Sequence, residues 1–142
     1  MRKLLAALSL LLLLPCLALA SSVGYISGVS GDASVRVRAG LPYSRLAKGT
    51  NVATGTWIKT GPSGWVELTL NDKSKFTLVN NTEFEITSFL LTKTKREGAF
   101  NLAQGKLRAS VVKFGGKQSG MTVRSGTAVA GDRKSTRLNS SH

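Results

Sequence analysis

Two tryptophans, Trp57 and Trp65, flank the turn Thr60-Gly61-Pro62-Ser63-Gly64. They have the chemistry of an aromatic platform for a glycan or peptide, although indoles more often pack over the end of a sheet. The cationic run Lys93-Thr94-Lys95-Arg96, together with Arg36 and Arg38 of an alternating segment, is suited to attract phosphate or carboxylate groups. A solvated loop and a solvated strand face account for the same residues more plainly. Trp57, Trp65, Lys93, Lys95, Arg96, Arg36 and Arg38 are therefore the candidate partner-binding residues.

No catalytic set accompanies them. Among the carboxylates Asp32, Asp72, Glu83 and Glu85, the last two lie two apart on one strand and share its wet face, with no fixed partner expected. A glycosidase pair would instead face itself across a cleft at ~5 to 9.5 Å. The stretch Gly49 to Gly55 lacks the Gly-Lys-Ser/Thr ending of a phosphate loop. The single Cys, Cys16, and the single His, His142, lie near the chain ends, so residues 21–131 contain no thiol nucleophile, thiolate ligand or imidazole base. The expectation is a protein that is not an enzyme, with no metal and no cofactor.

The chain has 142 residues, 20 Lys plus Arg against 7 Asp plus Glu, a net charge of +13 and 42% hydrophobic residues, too apolar for a disordered basic tail. Both ends read differently from the middle. Met1-Arg2-Lys3 followed by the apolar run Leu4 to Leu14, then Pro15 and Ala18-Leu19-Ala20, has the three regions of a secretory signal, with cleavage expected after Ala20. A lipoprotein would need a small residue where Pro15 precedes Cys16. At the other end, residues 132–142 (Asp132-Arg133-Lys134-Ser135-Thr136-Arg137-Leu138-Asn139-Ser140-Ser141-His142) have no apolar period and read as the in-frame translation of a widely used sequencing-library adapter.

The expected organisation is thus a signal peptide at 1–20, a β domain at 21–131 and an adapter-derived tail at 132–142. Removing Arg2, Lys3, Arg133, Lys134 and Arg137 from the 20 bases, and Asp132 from the 7 acids, leaves 15 against 6, a charge of +9. An exported chain of that charge meets anionic polymers, membranes or envelope proteins first, so nucleic acid is not an expected partner.

These groups must be positioned by strands. All 15 glycines fall within residues 21–131 and punctuate short alternations: Val35 and Val37 with Arg36 and Arg38, Val66, Leu68 and Leu70 with Glu67 and Thr69, Phe84 and Ile86 with Glu83 and Glu85. Gly61-Pro62-Ser63-Gly64, Asn71-Asp72-Lys73, Asn80-Asn81, Glu97-Gly98 and Gly115-Gly116 read as turns. The fold class is all-β, with short antiparallel strands in a sandwich, roll or solenoid. Phe76, Leu78, Phe84, Ile86, Phe100, Leu102, Leu107, Val111, Met121 and Val123 form the expected core. The glycine-bounded segments Gly28 to Ala33 and Gly49 to Gly55 echo each other as turns entering strands, as winding strands would.

The order of these segments resembles the FecR domain family, a bacterial envelope module. The resemblance runs through Val29-Ser30-Gly31-Asp32-Ala33-Ser34-Val35-Arg36-Val37, Leu46-Ala47-Lys48-Gly49-Thr50, Ile58-Lys59-Thr60-Gly61, and above all Gly64 to Ile86. In that last stretch Asn71-Asp72-Lys73-Ser74 stands where the family has an Asp-Gly-Ser type turn, with Lys73 in the place of the glycine. Phe100 to Arg108 and Val123 to Gly131 resemble later segments, the second leading towards a closing Val-Arg-Gly-Thr motif that this chain lacks. The domain is therefore expected to be truncated before its last strand.

The resemblance implies an envelope sensing or binding module. The family's full transmembrane regulators need a cytoplasmic segment and a retained membrane helix. A cleavable signal implies neither, leaving an exported module, periplasmic with secretion or the cell surface as the alternative, that recognises a protein partner or an envelope polymer. A structural scaffold domain and an unrelated polyanion-binding β protein are the alternatives; the oligomeric state is left open.

Overall fold

A computed structural model describes residues 21–126, 129–131 and 136–139. The expected signal peptide lies outside the described residues, as does most of the tail. Strands come in chain order as β1 (Ser22–Ser30), β2 (Ala33–Arg36), β3 (Ser44–Arg45), β4 (Asn51–Ala53), β5 (Trp57–Thr60), β6 (Trp65–Leu70) and β7 (Lys75–Leu78). They continue as β8 (Glu83–Leu91), β9 (Lys95–Gln104), β10 (Lys106–Ser110), β11 (Gln118–Ser125), β12 (Val129–Gly131) and β13 (Thr136–Asn139). Among the described residues there is no helix, so the all-β expectation holds.

The strands form two sheets, one ordered β13-β10-β7-β6-β1-β4 and the other β12-β11-β9-β8-β5-β2-β3. Their inner faces meet through Phe76 of the first sheet, whose ring centroid lies 5.7 Å from Phe84 and 4.6 Å from Phe100 of the second, both edge-on. Edge-to-face contacts suit the ring quadrupole and add to the area these rings bury. Around them Ile26, Ile58, Val66, Leu68, Leu78, Ile86 and Leu102 are fully buried. Every member of the expected core is buried except Val111, which is half-buried against it.

The chain crosses between sheets rather than completing one first. Gly31 (φ 67°) lies between β1 and β2, and Gly55 (φ 90°) between β4 and β5, and each step leads from the six-stranded to the seven-stranded sheet. Both glycines occupy the left-handed backbone region that a Cβ disfavours. These are the two segments whose echo suggested winding strands. A fuller coil follows: β9 leads to β10 in the opposite sheet and then to β11, which returns parallel to β9. The other strand pairs are antiparallel.

Two local expectations differ. Glu97-Gly98 is not a turn but lies inside β9, where Gly98 packs so closely under Met121 and Phe100 that a Cβ would fall within 3 Å of both. The reversal is instead at Thr92 to Lys95, where the Thr92 N–H donates to the Lys95 carbonyl at 2.8 Å. Val37 does not continue the alternation, because β2 ends at Arg36 and leaves Val37 66% exposed.

Thr136–Asn139, within the segment read as adapter-derived, pairs antiparallel with Lys106–Ala109. Backbone pairing at a sheet edge takes any extended chain, whatever its side chains.

Candidate functional site

The family-like turn Asp72-Lys73-Ser74 builds the most polar part of the interior. Asp72 accepts from the Ser74 N–H at 2.9 Å and the Ser74 hydroxyl at 2.8 Å. Its other buried partner is Arg96, whose Nη1 donates to Asp72 Oδ2 at 2.8 Å, with side-chain exposures of 3% and 4%. Arg96 also donates to the Val112 carbonyl at 2.7 Å and from Nη2 to the Ser119 hydroxyl at 2.8 Å, while its guanidinium faces the Phe114 ring at 5.2 Å. The Ser74 hydroxyl accepts from the Val112 N–H at 3.2 Å. One ion pair thus ties the β6–β7 turn to β9, β11 and the segment after β10.

Arg96 therefore does not join an exposed basic cluster, as the run Lys93 to Arg96 suggested. The alternation of β9 turns Arg96, Gly98, Phe100 and Leu102 inward, and only the outward members reach solvent. Lys93 remains exposed in the turn, and Lys95 is paired with Glu97 at 3.2 Å.

The outer face of the seven-stranded sheet carries a different arrangement. Ile58 and Phe84 point to the core, so their strand neighbours Trp57, Lys59, Glu83 and Glu85 point out. Arg36 at the end of β2 is the register partner of Trp57, and its guanidinium lies 5.1 Å from the indole and 4.7 Å from the Tyr43 ring. Lys59 Nζ stands 5.6 Å from that same ring. The Tyr43 hydroxyl donates to Glu83 Oε1 at 3.0 Å. Burial, then the hydrogen bond and the charge of Glu83, push the Tyr43 phenol up to about 12. Arg36 Nε and Trp57 Nε1 are buried with no hydrogen-bond partner among the described residues. Such donors carry a desolvation cost that these contacts leave uncompensated.

The stack continues as a row across five strands. Arg36 is the register partner of Trp57, Trp57 of Glu85, Glu85 of Asn101, and Asn101 of Arg124. A groove of about 630 Å3 runs along its second half, lined by Glu85, Thr87, Asn101, Thr122 and Arg124 among others. Lys93 and Lys95 stand at the far end of the β8–β9 hairpin, roughly 20 Å along β8 from Glu85 at ~3.3 Å per residue.

Trp65 takes no part in this row. It stands on β6 in the six-stranded sheet, so the two tryptophans that flank one turn diverge to opposite outer faces. They form no common platform. Arg36 and Trp57 are brought together, and Arg38 lies exposed two residues beyond. Tyr43, Lys59, Asn101 and Arg124 escaped the sequence reading, which also left Glu83 without its partner. Alternation signals that Lys59 and Arg124 face outward, but nothing local predicts which residues stand beside them.

Among the described residues no group of His, Cys, Asp and Glu is placed to hold a metal, and no helix is long and apolar enough to cross a membrane. A two-sheet β module with one buried ion pair and a polar row on an outer face is the class of protein this geometry defines. The family model described as FecR protein matches residues 56–142, more than half of the chain, and the chain belongs to the FecR family. That family is one of non-enzymatic envelope signalling and sensing domains. No curated protein and no solved structure matches the chain. The matched range includes the segments Ile58 to Gly61, Gly64 to Ile86 and Phe100 to Arg108, whereas Val29 to Val37 and Leu46 to Thr50 precede it.

Proposed function

We propose that this chain is an exported, non-enzymatic FecR-type binding or sensory module of the bacterial envelope, periplasmic in location, that recognises a protein partner through the outer face of its seven-stranded sheet. The observation that carries this reading is Arg36 held between Tyr43 and Trp57 on the outer face of that sheet. Arg, Tyr and Trp are the residue types that dominate the energetics of protein interfaces. The row beside them alternates in charge, with Glu85 between Trp57 and Asn101 and Arg124 at its end, which suits a partner bearing both signs better than a polyanion. Export is supported by the basic start, apolar run and small-residue site before Ser21, where the mature N-terminus is expected by mass spectrometry.

The test places a photo-crosslinking residue at Arg38, two positions beyond the stack, in living bacteria. A protein adduct of discrete mass, lost in Arg36→Ala and Trp57→Ala variants that melt normally, is the expected result. No adduct, or capture unaffected by both substitutions, refutes the reading.

A further inference from the structure

The outer face of the six-stranded sheet holds a groove of about 570 Å3, within the range of small-ligand sites. Trp65 forms one wall. Its indole lies over Gly28, where a Cβ would stand 2.7 Å from Cζ3, so the absence of a side chain on β1 is what lets the ring settle against the backbone. Trp65 as a whole remains 37% exposed. Lys106 and Arg108 on β10 form another wall, turned outward because Leu107 and Ala109 point into the core. Thr77, the register partner of Arg108, and Asn80 supply hydrogen-bonding groups.

Among the described residues no carboxylate lines this groove. Glu67, the register partner of Thr77 on the same face, is already engaged by Lys75 at 3.7 Å and by the Ser27 hydroxyl at 2.8 Å. Among the described residues, neither Lys106 nor Arg108 forms an ion pair. Two uncommitted cations beside a seated, half-open indole define a ligand that is anionic and also presents flat apolar faces. Sugar rings of a charged polymer meet both demands: their C–H faces stack on an indole, and their carboxylate or phosphate substituents pair with the cations. A nucleic-acid strand is served by a succession of aromatic platforms, and this groove offers one indole with a hydroxyl and an amide.

We propose that this groove binds an acidic glycan, with Trp65 stacking a sugar ring and Lys106 and Arg108 meeting its anionic groups. It is a second site, on the face opposite the Arg36 stack, and does not rest on a protein partner being bound there.

The test titrates the purified protein with hexagalacturonate, and in parallel with neutral maltohexaose, polyglutamate and oligo-thymidylate. Binding is followed by calorimetry and, in a Trp57→Phe background, by the fluorescence of Trp65. Hexagalacturonate is expected to bind and to shift the Trp65 emission, with maltohexaose at least tenfold weaker. Trp65→Ala should weaken hexagalacturonate about tenfold or more, whereas Trp65→Phe should retain most of the affinity and guards against a folding defect. Lys106→Ala with Arg108→Ala should weaken binding and flatten its salt dependence. Arg36→Ala should leave it unchanged, which separates this site from the protein-partner face. Failure of hexagalacturonate to bind, equal binding of polyglutamate or oligo-thymidylate, or an unchanged affinity in Trp65→Ala overturns the proposal.

Discussion

Arg36 and Arg96 are both strand arginines that a reading of charge alone assigns to the surface, and the fold gives them opposite fates. Arg96 is 2% exposed and distributes its donors over Asp72, Ser119 and the Val112 carbonyl. Arg36 lies on the outer face between two aromatic rings, with its Nε unpaired. A buried guanidinium is tolerated only when its lost hydration is replaced by fixed partners, so Arg96 has become part of the architecture. A stacked guanidinium keeps its charge against the ring faces without a full set of hydrogen-bond partners, so Arg36 is not built into the interior as Arg96 is. Saturation of hydrogen-bonding capacity therefore separates the buried cation from the stacked one.

The sharpest way to break this contrast is to remove each arginine. Arg96→Leu strands the Asp72 carboxylate in the interior and should lower unfolding free energy by about 3 to 5 kcal/mol in a denaturant titration. Replacing Asp72 by Leu in the same chain should recover much of that loss, since both buried charges then vanish. Arg36→Ala should cost about 1 kcal/mol or less in the same assay, the scale of partly exposed cation–aromatic contacts. Equal losses at the two positions would abolish the distinction.

A smaller effect concerns the stack itself. The Tyr43 phenol should ionise at about 12, read from phenolate absorbance, and Glu83→Gln should lower that value without restoring the ordinary 10, because burial is the larger cause. Since the folded value lies above the unfolded one, the stabilisation is fully present below pH 10 and is lost as pH rises from 10 through about 12. Ionisation at the ordinary value would show that the Tyr43–Glu83 contact is not kept in solution.

The smallest effect lies at the turn that supports Arg96. Lys73 has φ 73°, the left-handed conformation that favours glycine. Lys73→Gly removes a strain of roughly 1 to 2 kcal/mol but makes the unfolded chain more flexible, so a net gain of ~1 kcal/mol or less is expected by thermal unfolding. A loss on this substitution would show that the Lys73 side chain contributes more than its backbone costs.

Much of the interior was legible because burial in a strand follows a local period of two. Phe76 and Leu78, Phe84 and Ile86, and Phe100 and Leu102 declare their inward faces within three residues each. The same rule pointed Arg36, Glu83 and Glu85 outward. It failed where a turn signal sat inside a strand: Gly98 serves close packing against Met121, a neighbour 23 positions on that only the parallel β9–β11 pairing supplies. It failed again at Arg96, whose run of basic neighbours hid an inward position and whose partner Asp72 lies 24 residues earlier.

By itself the sequence determined the all-β class, the membership signal in the Asp72-Lys73-Ser74 turn and its flanking strands, and most of the core. Only the tertiary structure decided that the neighbours Trp57 and Trp65 part to opposite faces, and that Arg36, Trp57, Glu85, Asn101 and Arg124 stand in one row. The physical reason is that alternation belongs to a single strand, whereas register belongs to pairs of strands. Register is set by turn geometry, by the bulges between Glu83 and Phe84 and between Ile86 and Ser88, and by crossings that carry consecutive strands into different sheets.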